Sequence, residues 1–142
     1  MKAEIAQRVV LITGASSGVG QTTARLLAQR HYTVFGTSRN PVSAESIPTV
    51  EMLPLDVRNE DSVRACVEAV CRRCGRLDVL INNAGYELAG AVEELSLEEA
   101  RAQFETNLFG VVRMVNAVLP LLRRQKHGHI INVGSLSGLS AI

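Results

Sequence analysis

The chain has 142 residues, of which 46% are hydrophobic and 20% are charged, and its formal net charge is +1. This length and composition are enough for a single domain with a buried core, and they exclude a disordered chain. The balanced charge gives no basic field for nucleic acid. The N-terminus carries Lys2, Glu4 and Arg8 before its first glycine, which fits neither a signal peptide nor a membrane span. We therefore predict a cytoplasmic protein with no nucleic-acid partner and no membrane span.

Short apolar runs alternate along the chain with segments of helical periodicity. Strands are predicted at "RVVLIT", "YTVFGTS", "TVEMLPL", "RLDVLINN" and "HIINVG", and helices over Gly18 to Arg30, from Asn59 to Gly75 and from about Ser96 to Arg124. Nearly continuous hydrophobic strands separated by helices are typical of a parallel sheet that is covered on both faces. The predicted fold class is therefore α/β, a doubly wound, Rossmann-type parallel sheet of about five strands.

The junction between the first strand and the first helix, "LITGASSGVGQTTARLL", is rich in glycine. At such a junction, backbone amides and the helix dipole can receive a pyrophosphate. Gly14 lets the chain turn off the strand, Gly18 keeps a Cβ away from the phosphates, and Gly20 allows close helix packing. A P-loop is excluded because it needs Gly-Lys-Ser/Thr where Val19, Gly20 and Gln21 stand. We predict a dinucleotide site that includes Gly14, Ser16, Ser17, Gly18, Val19 and Gly20, with a purely structural turn as the alternative.

The second predicted strand is followed by Arg39, in "FGTSRNP", and no acidic residue occurs between Thr33 and Ala44. In doubly wound sheets the residue at this place meets the adenosine ribose. An acid there suits the 2′-hydroxyl of NAD, whereas an arginine suits the 2′-phosphate of NADP. We therefore predict NADP(H) in preference to NAD(H). An exposed loop arginine without a binding role is the alternative.

The three cysteines, Cys66, Cys71 and Cys74, lie within one predicted helix that begins at Asn59 and ends at Gly75. The C-x-x-C pair would suit a redox or zinc site, but no second Cys or His pair follows at metal-ligand spacing. We predict ordinary thiols and no metal site, because free cysteine is a common small apolar residue in helices.

The long helical region opens with a capping box formed by Ser96 and Glu99. Asn107 falls on its predicted inward face, so its amide is either a satisfied core group or part of a site. Pro120 is expected to kink the helix or to end it. The apolar stripe expected to face the core consists of Ala100, Phe104, Leu108, Val111, Val115, Val118 and Leu122.

Four motifs, "TGASSGVG", "LPLDVRNEDSV", "LINNAGY" and "GHIINVGSLSG", occur in this order over the chain. In these four motifs and in their order, the sequence resembles the short-chain dehydrogenase/reductase family. The resemblance implies that Asp56 and Val57 contact the adenine and that Asn83, Ala84 and Gly85 of "NNAG" line the cofactor. The residues alone place this motif at the carboxyl end of a strand, where doubly wound sheets bind ligands, with an ordinary turn as the alternative.

The resemblance also implies two catalytic residues. Asn107 would anchor a water in a proton relay, and a serine after the fifth strand would contact the substrate. Of the two candidates we choose Ser135 over Ser137, because it aligns with the second of the family's paired hydroxyl residues. The family's Tyr-x-x-x-Lys is absent, since neither Tyr32 nor Tyr86 is followed four residues later by lysine. Without this general acid, residues 1–142 are expected to be inactive on their own.

We therefore interpret residues 1–142 as a dinucleotide-binding domain that is incomplete at its C-terminus. The predicted parent is an NADP-dependent oxidoreductase that interconverts a small-molecule alcohol and a carbonyl by hydride transfer. The alternative is a dinucleotide-binding module or sensor without chemistry. The resemblance is greatest to members that act on ketones or hydroxylated lipids, and it implies a homo-oligomer formed through the long helix.

Overall fold

The computed structural model describes residues 7–135, and these form one five-stranded parallel sheet with helices on both faces. The strands are β1 (Val9–Ile12), β2 (Thr33–Ser38), β3 (Val50–Pro54), β4 (Val79–Asn82) and β5 (His129–Asn132), and the helices are α1 (Gly18–Gln29), α2 (Glu60–Cys74), α3 (Leu97–Phe104) and α4 (Gly110–Gln125). The strand order is β3-β2-β1-β4-β5. The predicted α/β fold is confirmed.

The first strand divides the core between the two faces of the sheet, because successive side chains of a strand point to opposite sides. Val9 and Leu11 pack with α2 and α4, whereas Val10 and Ile12 pack on the side of α1. The chain leaves β1 first toward β2 and β3 and later toward β4 and β5. The carboxyl ends of β1 and β4 therefore lie at the point where the strand order reverses, which is where open α/β sheets bind ligands.

Helix α2 has the ends that the sequence predicts. The side chain of Asn59 accepts a hydrogen bond from the backbone N–H of Ser62 at 2.8 Å, and Gly75 ends the helix in a left-handed conformation with φ of 67°. Burial raises the pKa of the Cys66 thiol to about 12. Cys71 and Cys74 are free and half-buried. Within residues 7–135 no group of three or more Cys, His, Asp or Glu side chains is placed to hold a metal ion.

The long helical region contains a π-helical turn, Glu105–Phe109, between α3 and α4. Helix α3 begins with the predicted capping box, in which Glu99 accepts a hydrogen bond from the backbone N–H of Ser96 at 2.9 Å. In the π-turn the N–H of Gly110 donates to the carbonyl of Glu105, five residues earlier. The turn therefore changes which residues of α3 and α4 share a face.

The predicted inward stripe is wrong over the first half of this region. Phe104 and Leu108 are 56% and 48% exposed, and Asn107 is exposed as well. A regular 3.6-residue period does not hold across the π-turn, so the face that packs on the sheet begins only at Gly110. The buried residues of α4 are Gly110, Met114, Val118, Leu121 and Leu122.

Helix α4 also continues through Pro120 to Gln125, so of the two expected effects, a kink or an end of the helix, the second is wrong. Pro120 is exposed, where the backbone carbonyl that loses its helical partner can meet water. The last described strand, β5, pairs with β4 in parallel. No helix in the described part of the chain is long and apolar enough to cross a membrane.

Candidate cofactor site

The turn between β1 and α1 requires glycine at three places for different reasons. Gly14 has φ of 67°, and a Cβ there would lie 2.8 Å from the Cα of Ala84. A Cβ at Gly20 would lie 2.3 Å from the carbonyl oxygen of Gly14 and 2.4 Å from Nδ2 of Asn83. Gly18 has φ of 56°, and a Cβ there would meet nothing within 4 Å. Gly14 and Gly20 thus permit close packing, while Gly18 leaves open space at the start of the helix.

The first turn of α1 has features of an anion site. Ser17 occupies the N-cap position, but its side chain forms no capping hydrogen bond, and the first turn contains no acidic residue. The N-terminal amides and the positive end of the helix dipole are thus left available to an anion, since no side-chain carboxylate meets them. The open space at Gly18 is where a phosphate can approach the backbone, so these residues fit a pyrophosphate.

A hydroxyl and an amide connect this turn to the end of β4. The Thr13 hydroxyl accepts hydrogen bonds from the backbone N–H groups of Asn83 and Ala84, both at 2.9 Å. In return the Asn83 side chain donates to the carbonyls of Thr13 at 3.0 Å and Gly14 at 2.9 Å. Thr13 is buried. This network fixes the glycine turn relative to the loop that follows β4.

A cleft of about 720 Å³ opens along the carboxyl ends of β1, β2, β3 and β4. Eleven of the twelve predicted cofactor residues line it; Gly20 does not, since it packs between the turn and Asn83. Sequence reasoning did not single out Arg58, Tyr86 and Thr106, which also line it. The predicted residues that line it are Gly14, Ser16, Ser17, Gly18, Val19, Arg39, Asp56, Val57, Asn83, Ala84 and Gly85.

The adenosine end of this cleft, as predicted from the sequence, contains two arginines and one carboxylate. Arg39 directly follows β2. Asp56 is held by Arg58, whose Nε donates to Oδ1 at 3.0 Å and whose Nη2 donates to Oδ2 at 2.8 Å. The hydrogen bonds and charge of Arg58, together with the charge of Arg39, outweigh burial and lower the pKa of Asp56 to about 2. Asp56 is therefore ionised at neutral pH.

Asn107 connects the π-turn to the loop after β4. Its Nδ2 donates to the carbonyl of Tyr86 at 2.8 Å, and its Oδ1 accepts from the N–H of Tyr86 at 3.1 Å. Asn107 is therefore an exposed residue with a satisfied amide, which corrects its predicted place on the buried face. A Cβ at Gly85 would lie 3.1 Å from Oδ1 of Asn107, so the glycine allows this approach.

Ser135 lies three residues beyond β5, on the same edge of the sheet as Asn83, because β4 and β5 run in parallel with Asn82 opposite Asn132. Nδ2 of Asn82 donates to Oδ1 of Asn132 at 2.9 Å. Ser135 is exposed. Ser137, the serine not chosen, lies outside the described residues. The roles of Ser135 and Asn107 stay predictions.

Comparison with known proteins agrees with this geometry. A family model described as short chain dehydrogenase matches residues 8–142. The chain belongs to this short-chain dehydrogenase family. Proteins of the family bind the dinucleotide NAD or NADP, and the cleft residues fit such a ligand.

Among curated relatives, 3-ketodihydrosphingosine reductase of Bacteroides thetaiotaomicron is 49% identical over 135 residues, which cover 95% of this chain and 49% of that protein. Retinol dehydrogenase 8 of Bos taurus is 40% identical, with 96% of this chain and 47% of that protein covered. This chain thus spans about half the length of the short-chain dehydrogenases that it matches.

Solved structures of short-chain dehydrogenases also superpose on the chain. A short-chain dehydrogenase from Streptomyces avermitilis has a TM-score of 0.90 and 35% identity, and 96% of this chain covers 52% of that one. A variant of actinorhodin polyketide ketoreductase with NADPH has a TM-score of 0.87 and 33% identity, and 96% of this chain covers 56% of that one. These superpositions support the same fold.

Proposed function

We propose that this protein is an NADP(H)-dependent oxidoreductase that interconverts an alcohol and a carbonyl, and that residues 1–142 provide its cofactor-binding domain. The observation that carries the cofactor preference is Arg39, which lines the cleft directly after β2. Among residues 7–135, the one carboxylate in the cleft is Asp56, which Arg58 already engages. Arg39 is therefore the cation that remains for a 2′-phosphate.

Each part of the proposed site has a distinct task. The glycine turn and the N-terminus of α1 bind the pyrophosphate, Asp56 and Val57 hold the adenine, and the segment Asn83–Gly85 lines the path toward the nicotinamide. The nicotinamide, when bound, supplies or accepts the hydride. Asn107 holds the backbone of Tyr86 through both ends of its amide, and so fixes the wall of the cleft beside the π-turn.

Ser135 is the proposed hydrogen-bond donor to the substrate oxygen, because it follows β5 at the edge of the sheet to which the cleft opens. A serine hydroxyl stabilises a developing alkoxide but does not by itself supply the proton at neutral pH. Residues 1–142 contain no Tyr-x-x-x-Lys. We therefore propose that these 142 residues bind the cofactor without turnover.

The proposed substrate is a lipid that carries a ketone or a hydroxyl group. The support comes from the relatives, which include a 3-ketodihydrosphingosine reductase and a retinol dehydrogenase. The non-catalytic binding module remains the second candidate, because it requires the same cleft but no proton donor. Consumption of NADPH with a long-chain ketone by the complete protein distinguishes the two.

We also propose that the protein forms homo-oligomers through the long helical region. The support is a group of exposed apolar side chains along α3, the π-turn and α4, which is a common feature of interaction surfaces. Sedimentation equilibrium tests this assembly, and a monomer at all concentrations would contradict it. The group consists of Leu97, Phe104, Leu108, Phe109 and Val112.

The test of the cofactor preference is the binding of NADPH and NADH to the protein and to its Arg39→Ala variant, measured by calorimetry. We expect Arg39→Ala to weaken NADPH binding by about tenfold or more, because it removes a charge-assisted contact to phosphate, and to change NADH binding by less than about threefold. Arg64→Ala is the matched control, since Arg64 is 67% exposed and does not line the cleft. Equal weakening of both cofactors would contradict the proposal.

A further inference from the structure

Hydrogen bonds fix both the carboxylate and the backbone of Asp56. Arg58 donates three hydrogen bonds to it, from its backbone N–H to Oδ1 at 3.0 Å, from Nε to Oδ1 at 3.0 Å and from Nη2 to Oδ2 at 2.8 Å. The backbone N–H of Asp56 in turn donates to the hydroxyl of Ser62 in the first turn of α2 at 2.9 Å. The carboxylate therefore cannot rotate without breaking the two parallel bonds to the guanidinium.

The hydrogen bonds from Arg58 leave one acceptor position of the Asp56 carboxylate for a ligand. An ionised carboxylate offers about four lone-pair positions, two on each oxygen. Arg58 fills both positions on Oδ1 and one on Oδ2. One position on Oδ2 remains, and it belongs to a side chain that is 31% exposed and lines the cleft. This carboxylate can accept one further hydrogen bond, from a donor in a fixed direction.

The pairing also assigns different tasks to the two arginines of the cleft. Two donors of the Arg58 side chain are engaged by Asp56, whereas Arg39 makes no side-chain hydrogen bond within residues 7–135. Turning Arg58 toward a phosphate would leave the Asp56 carboxylate without its partner, which is costly for a partly buried charge. The arrangement therefore favours Arg39 as the phosphate ligand and Arg58 as the partner of Asp56.

We propose that Arg58 is a positioning residue for base recognition: it holds Asp56 so that one lone pair of Oδ2 accepts the exocyclic amino group of a purine. This inference rests on the proposed function, in which the cleft binds a dinucleotide and Asp56 holds its adenine; the new element is the role of Arg58. An adenine donates an N–H to the remaining position. A hypoxanthine presents a carbonyl oxygen there instead, and two acceptors facing each other repel, so the site selects an aminopurine over an oxopurine.

The experiment compares binding of NADPH with binding of its hypoxanthine analogue, in which a carbonyl replaces the amino group. Dissociation constants are measured by calorimetry for the protein and for Arg58→Ala, Arg58→Lys and Arg64→Ala. We expect the unaltered protein and Arg64→Ala to prefer the adenine form by about tenfold, the value of one charge-assisted hydrogen bond. In Arg58→Ala this ratio should fall to within about twofold of one, because both guanidinium bonds are lost and the one remaining bond, from the backbone N–H of residue 58, lets the carboxylate turn about Oδ1.

The lysine variant separates orientation from charge. A lysine in place of Arg58 would keep the positive charge but not the two parallel donors, so Arg58→Lys should also lose most of the preference. An Arg58→Ala variant that folds and keeps the tenfold ratio would overturn the inference, since Asp56 would then need no partner. The inference would also be overturned if Arg58→Ala lost the preference for NADPH over NADH but kept the preference for adenine over hypoxanthine, because Arg58 would then be a phosphate ligand.

The same measurements distinguish failure of the proposed function. If the unaltered protein bound neither NADPH nor its analogue, the dinucleotide function would be wrong, and this inference would fall with it. If the protein bound NADPH tightly and only the predicted effect of Arg58 were missing, the inference alone would be wrong. Thermal unfolding of each variant, followed by circular dichroism, shows that a lost ratio does not come from an unfolded chain.

Discussion

Replacement of Gly20 by alanine tests how tightly the cofactor turn is packed. A Cβ at this position would lie 2.3 Å from the carbonyl oxygen of Gly14 and 2.4 Å from Nδ2 of Asn83, whereas ordinary contacts of a Cβ are 3.4–4 Å. Neither neighbour is the free end of a flexible side chain. The carbonyl belongs to the turn, and the amide is held by its hydrogen bonds to Thr13 and Gly14.

The expected loss of stability follows from three contributions. Forcing a methyl group into a packed site costs about 1–3 kcal/mol, and losing the two hydrogen bonds of Asn83 costs about 1 kcal/mol each. Alanine returns up to about 1 kcal/mol because it favours a helix more than glycine does. Gly20→Ala should therefore lower the free energy of unfolding by about 3 kcal/mol, and it should weaken NADPH binding as well.

Gly18→Ala is the matched control for this substitution. Its Cβ would meet nothing within 4 Å, so its cost is the left-handed backbone with φ of 56°, about 1–2 kcal/mol. Its methyl group would enter the cleft, so NADPH binding should weaken by about tenfold or more although the fold is retained. Urea unfolding and calorimetry measure the two effects. A Gly20→Ala variant as stable as the unaltered protein would refute the packing argument.

Two further substitutions test the contacts that align the strands. Thr13→Val keeps the shape of the side chain but leaves the N–H groups of Asn83 and Ala84 without an acceptor, so it should lower the free energy of unfolding by about 2–4 kcal/mol. Thr13→Ser keeps the hydroxyl and should lower it by under about 1 kcal/mol. Equal stability of the two variants in urea would contradict this. Burial raises the pKa of Asp78, but hydrogen bonds from Arg76 and from the N–H of Val9 together lower it by more, so the pKa lies below its ordinary value of 3.8. Its carboxylate therefore stabilises the fold above pH 3.8 and loses this effect as the pH falls through the lower folded-state pKa. The difference in free energy of unfolding between the protein and Asp78→Asn should therefore shrink on acidification. A difference that does not change with pH would show that the charge is not responsible.

The fold was predictable because buried parallel strands leave a simple pattern in the sequence. Each strand from "RVVLIT" to "HIINVG" is a short apolar run between helical segments, and the helix between Asn59 and Gly75 carries its own end signals. The π-turn at Glu105–Phe109 was not predictable in this way. It is held by contacts between distant parts of the chain, in particular the bonds of Asn107 to Tyr86, which a helical period does not reveal.

The candidate site was predictable to a similar extent. Glycine spacing, strand ends and the family resemblance together led to twelve residues, and eleven of them line one cleft. The pairing of Arg58 with Asp56 was missed, although an arginine two residues after an aspartate, in a loop that follows a strand, is a visible local signal. The role of Thr13 was missed for another reason. Its hydroxyl accepts hydrogen bonds from the backbone of Asn83 and Ala84, which are 70 and 71 positions further along the chain.

The binding turn and the fold of the sheet depend on the same hydrogen bonds. The carbonyls of Thr13 and Gly14 are directed toward Asn83, which follows the neighbouring strand β4. The glycine turn is thus built only when β1 and β4 are paired, and β4 pairs in turn with β5, which precedes Ser135. Loss of the β4 contacts should therefore remove cofactor binding and stability together, whereas a change at Arg39, on the open side of the cleft, should alter binding alone.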